Sequence, residues 1–108
     1  MTMGVEIQTM THLEAMQTIK AAFSSGDNFV TTSHASERMA EREISLHMIR
    51  HAGKNGHLQR PPVFNEAHKN FECRIQNYCA GMNYVVCVAL SKNDDGVIVI
   101  TVWEVSEE

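Results

Sequence analysis

The feature that most constrains this chain is the change of period at Pro61-Pro62. Before the two prolines apolar residues recur at helical spacing, and after them they alternate. Consecutive prolines lack the N–H groups that a helix interior or a central strand must donate, so no helix runs through them. The chain is thereby divided into helices gathered first and strands gathered later, an α+β arrangement. The expected architecture is about three N-terminal helices packed on a four-stranded antiparallel sheet. It forms a single domain over 1–108, with 1–9 a loose lead-in, 10–56 the helical layer and 60–105 the sheet. A chain of 108 residues buries a core of its own without staples.

The helical half carries its own start signals. Thr11 and Glu14 have the spacing of a capping box, in which hydroxyl and carboxylate satisfy each other's backbone donors. Ala15, Met16, Ile19, Ala22 and Phe23 follow at helical spacing, so a first helix runs to about Ser25, with Gly26 as its stop and Gly26-Asp27-Asn28 as a turn. Phe29-Val30 leads into a second helix, capped by Ser33 or Thr32, with Ala35, Met39 and Ile44 pointing inward. Ser45 caps a third helix, Ile44 staples onto Ile49, and Gly53-Lys54-Asn55-Gly56 ends it. His47 and His51 on that helix have the spacing of a zinc-binding pair. No glutamate follows the first and no third ligand is evident, so the sequence calls for no metal and no cofactor.

In the second half Val63-Phe64-Asn65 is an edge strand by virtue of its prolines. Lys69 to Cys79 alternates, with Phe71, Cys73 and Ile75 on one side and Glu72, Arg74 and Gln76 on the other. Ala80-Gly81 marks a turn, Asn83 to Ser91 a strongly apolar strand, Lys92 to Gly96 a hairpin loop, and Val97 to Val105 the last strand. Cys73, Cys79 and Cys87 are odd in number and lie in apolar runs, which fits free buried thiols in a reducing compartment. No stretch is long and apolar enough to span a membrane and no signal peptide opens the chain, so a cytoplasmic protein is expected.

Charge is distributed unevenly about a net of −4. Residues 33–74 carry seven Lys and Arg against five Asp and Glu, together with five of the six histidines, whereas both flanking segments are acidic. Only the middle segment is suited to an anion. The net charge is not that of a general nucleic-acid binder.

Within that segment His34, Arg38, Glu41 and Arg42 share one helix face. The run His-Ala-x-x-Arg-Met-x-Glu-Arg, here His34, Ala35, Arg38, Met39, Glu41 and Arg42, followed by Ile44-Ser45, resembles the signature of a family of uncharacterised bacterial and phage domains. Ile100-Thr101-Val102-Trp103 is similar to that family's last strand, and the resemblance covers about Thr32 to Val105. Glu43 stands where the family often has glycine, which should alter the turn between helices. The family has been grouped by fold with the barnase, EndoU, colicin and RelE type ribonuclease toxins. The resemblance therefore implies helices followed by a four-stranded antiparallel sheet.

Metal-free RNA cleavage needs a base for the 2′-hydroxyl, an acid for the 5′-oxygen and cations for the phosphate. Histidine titrates near neutrality, and arginine presents a planar fork of donors to phosphate. His34, Arg38, Arg42 and Thr101 are thus the candidate catalytic residues, and Arg60 and Tyr84 the candidate substrate-binding ones. The corresponding function is a toxin-type ribonuclease-like domain acting on RNA and neutralised by an antitoxin or immunity protein. The alternative is a non-catalytic phage- or mobile-element-type module that binds or inhibits another protein through its acidic surface, at Asp94-Asp95 and Glu107-Glu108. Pairing of edge strands would make a homodimer. On structural grounds alone, Arg38 and Arg42 are also suited to clamping carboxylates such as Glu41 or Glu104.

Overall fold

The computed structural model describes residues 9–24, 28–91 and 94–105. Three α-helices are present among them, α1 (His12–Ser24), α2 (Ser33–Arg42) and α3 (Leu46–Asn55), as the apolar periods predict. The capping box of α1 forms as read: the Glu14 carboxylate accepts from Thr11 N–H at 2.8 Å and Thr11 Oγ1 accepts from Glu14 N–H at 3.0 Å. Thr32, rather than Ser33, caps α2. Ser45 caps α3, with Ile44 and Ile49 both buried, as a hydrophobic staple requires. Gly53 lies inside α3 rather than at its end, because a Cβ there would fall 2.2 Å from the Phe23 ring of α1. The lead-in over residues 1–8, the Gly26-Asp27 turn, Lys92-Asn93 and Glu107-Glu108 lie outside the described residues, as do the side chains of Asp94-Asp95.

The sheet has six strands rather than four, and it is mixed. The strands are β1 (Phe29–Thr31), β2 (His57–Leu58), β3 (Val63–Asn65), β4 (Asn70–Cys79), β5 (Met82–Ser91) and β6 (Asp94–Glu104). Their order is β1-β6-β5-β4-β2, with β3 also on β4. The four expected strands are all present, as the antiparallel meander β3-β4-β5-β6. Two short strands were not expected. β2 continues the edge of β4, and β1 pairs parallel to β6 from between two helices, so the helical and sheet segments interleave along the chain. The hairpin loop read at Lys92 to Gly96 is shorter than expected, since β6 begins at Asp94 and pairs it with Ser91. Ala80 and Gly81 both take positive φ, 56° and 77°, between the paired residues Cys79 and Met82. This is the primed two-residue turn that matches strand twist.

One core joins the two layers. Ala15, Ile19 and Phe23 of α1, Ala35 of α2, and Met48, Ile49 and Ala52 of α3 pack on Phe71, Cys73, Ile75, Val86, Val88, Val99 and Val102. The opposite sheet face, called the open face below, is partly covered by its own side chains. Val85, Cys87 and Ala89 of β5 are buried there, outside the helix-side core. A break in register between Cys87 and Val88 decides which β6 residues reach that face. Val99 opposes Val88, Thr101 opposes Cys87, and Ile100 is the extra residue of a bulge.

Candidate functional site

The bulge matters because α2 begins on it. Thr32 N–H donates to the carbonyl of Val99 at 3.1 Å. Its hydroxyl donates to the Ile100 carbonyl at 3.1 Å while accepting from Ala35 N–H at 3.0 Å. A single side chain thus caps α2 and fixes the helix mouth, with exposed His34 two residues on, against the residue that precedes Thr101. On the other flank of α2, Ser36 Oγ lies 3.1 Å from Thr31 Oγ1 and Met39 packs on the core. At 100° per residue, His34, Arg38 and Glu41 occupy the flank away from Ser36 and Met39.

The arginines differ in what holds them. Arg38 Nη1 pairs with Glu41 Oε1 at 3.0 Å, both largely exposed. Such an exposed pair is worth under about 1 kcal/mol. Arg42 is exposed in the last turn of α2, where it complements the helix dipole. It stands two turns, about 12 Å along the axis, from His34, so it does not join the helix mouth. Arg38 is held by Glu41 within its own helix rather than by Glu104 of β6.

Arg60 and Thr101 meet a group that the sequence reading left on the solvent side of the sheet. Arg74, Cys87 and Thr101 form one cross-strand row on the open face. The Arg74 guanidinium lies 5.6 Å from the centre of the Trp103 ring, within cation–π range. Arg60, in the bend between β2 and β3, has its Nε buried with no hydrogen-bond partner. The positive charge of Arg74 and Arg60 is felt at Cys87, where it partly opposes the upward push of burial and of Glu72 on the thiol. Two guanidinium groups therefore share a sheet face with a hydroxyl and an indole, and among the described residues no carboxylate is paired to either.

Tyr84 lies elsewhere. It is 0 % exposed, on the helix side of β5, and its hydroxyl donates to the Met48 carbonyl of α3 at 2.7 Å. The same oxygen accepts from Asn77 Nδ2 at 2.9 Å, and Nδ2 also lies 2.9 Å from His51 Nδ1. Burial pushes the phenol up to about 12, with the Asn77 hydrogen bond acting the other way. With its hydroxyl engaged on both sides, Tyr84 ties α3 to the sheet and presents no surface to a ligand. His47 and His51 have ring centres 6.2 Å apart, and among the described residues no group of three His, Cys, Asp or Glu is placed to hold a metal ion. The three cysteines are free. None of the described helices is long and apolar enough to cross a membrane.

The capping threonine, the strand bulge that seats it and the arginine-bearing face beside it all lie between β1 and β6. That span defines a domain class: residues 31–104 match the family described as a domain of unknown function, DUF4258, and the chain belongs to that family. No curated protein and no solved structure matches the chain. The match begins at the last residue of β1 and leaves α1 outside it, while every site residue named above lies within it.

Proposed function

We propose that this chain is a small ribonuclease-like domain of the toxin type, which draws an RNA backbone across the open sheet face and needs no metal for cleavage. His34 carries proton transfer to or from the ribose and leaving-group oxygens. Arg38 approaches the phosphate from the helix, Arg60 and Arg74 approach it from the sheet, and Thr101 donates between them. The observation that carries this reading is the pair Arg60 and Arg74 beside Thr101, unpaired by carboxylate among the described residues, with one guanidinium over the Trp103 ring. A desolvated or ring-stacked guanidinium is a preorganised fork of donors that matches two oxygens of a phosphate. The antiparallel meander β3-β4-β5-β6 beneath the helices, which the resemblance to the ribonuclease toxins implies, supports the same reading. An acidic antitoxin or immunity protein would complement the face.

The test is incubation of the purified protein with mixed RNA in EDTA, beside a His34→Ala variant whose fold is checked by circular dichroism. Cleavage by the native chain and its loss in the variant are the expected results. Equal inactivity of both would move the protein to the non-catalytic binding module, for which a partner pull-down is the next experiment.

A further inference from the structure

Next to the arginine row on the open face lies a concavity of about 290 Å3. Ala89, Ile98 and Ile100 give it an apolar part, and Thr32, Asn65, His68, Asn70 and Glu72 give it a polar one. Glu72, Ala89 and Ile98 belong to a single cross-strand row, two residues along each of β4 and β5 from Arg74 and Cys87. That offset is about 7 Å in extended chain, roughly the step from a base to its own phosphate.

The polar part is held in place. Asn65 Oδ1 accepts from His68 N–H at 3.1 Å, and Asn65 Nδ2 donates to Glu72 Oε2 at 3.0 Å. The amide is thus fixed at both ends, and it fixes the carboxylate in turn. Glu72 Oε1 makes no hydrogen bond among the described residues, which leaves an acceptor edge beside the apolar part.

We infer that this concavity is a nucleobase pocket selective for guanine, with the Glu72 carboxylate reading the base. Guanine alone presents two adjacent donors, N1–H and N2–H, on its Watson–Crick edge. Adenine and cytosine set an acceptor beside their amino group, and uracil flanks its single N–H with carbonyls. A carboxylate pairs with the first pattern and repels the acceptors of the others. A guanine lying on Ala89 and Ile98 with that edge toward Glu72 directs its sugar and phosphate to the row of Arg74 and Thr101. The inference rests on the RNA reading above and adds the base to it.

The experiment measures binding of the native chain to four fluorescent pentanucleotides that differ only in the central base, with the central 2′-hydroxyl replaced by hydrogen to block cleavage. The guanine oligonucleotide is expected to bind about tenfold more tightly than the others, the discrimination that a good bidentate base contact provides. Glu72→Gln, which sets an amide where two acceptors stood, is expected to reduce that preference to within about twofold while retaining the common affinity. Equal binding of all four by the native chain, or a guanine preference that survives Glu72→Gln, overturns the pocket and leaves the RNA reading in place. No binding of any of the four, even at low salt, overturns the RNA reading and the pocket together.

Discussion

Glu43, like Lys69 and Ala80, holds a backbone conformation that its side chain does not favour. It follows α2 with φ 58° and ψ 40°, in the left-handed region, and its N–H reaches back to the carbonyls of Ala40 and Met39. Ile44 N–H also bonds the Met39 carbonyl, at 2.9 Å, so the helix ends in a glycine-type cap without its glycine. The side chain is exposed and makes no contact that offsets the strain. Glu43→Gly should therefore raise stability by about 1 kcal/mol, read as a higher urea midpoint at unchanged slope. An unchanged or lowered midpoint would show that the left-handed turn carries no strain here. The sequence places this residue at the turn between helices, and the left-handed geometry there is one that glycine adopts without strain.

At the scale of elements, α3 is joined to β4 and β5 by the His51–Asn77–Tyr84–Met48 chain of hydrogen bonds as well as by packing. Tyr84→Phe removes the donor to the Met48 carbonyl and the acceptor for Asn77, leaving both buried. It should cost about 1–3 kcal/mol in chemical denaturation, with little loss of helix signal at low denaturant. A neutral result would mean that water replaces the phenol. Asn77 was legible in part, because it falls in phase with Phe71, Cys73 and Ile75 on the buried side of β4, but nothing local names its partners. The helices, their caps and the four meander strands were legible from period and turn chemistry. β1 was not, since three residues show no period and their pairing partners, Val97 to Val99, are distant in sequence. The face of Thr101 was not legible either. Alternation from Val97 and Val99 would send Thr101 to the core, and only the extra residue at Ile100 turns it to the open face beside Arg74. Arg74 and Trp103 were missed for the same reason, because which β6 residue opposes which on β4 depends on a register that the bulge resets.

Across the whole molecule, the buried acids set an alkaline limit. Burial, with the nearby Cys87 and Glu72, pushes the Cys73 thiol from 9.0 up to about 12. Burial likewise raises Cys87, and raises Tyr84 from 10.0 to about 12. In the unfolded chain the thiols ionise near their ordinary values and the phenol follows, while the folded state still holds those protons. Over that interval the folded state binds more protons than the unfolded one, so stability falls as pH rises. Urea midpoints should be level up to about pH 9 and decline toward about pH 12. Cys73→Val should make the decline shallower, and a flat native profile would contradict the assignment.

The seat of α2 on the β6 bulge has a consequence for the order in which the molecule comes into being. Thr32 takes its partners from Val99 and Ile100, about two-thirds of the chain later. While the ribosome has yet to release that stretch, α2 has no anchor, β1 has no neighbour, and the row of Arg74 lacks its threonine and its indole. The helix mouth that carries His34 is therefore seated only once β6 is in place. A polypeptide that stops short of β6 carries every residue of α2 and none of the backbone carbonyls on which Thr32 seats it.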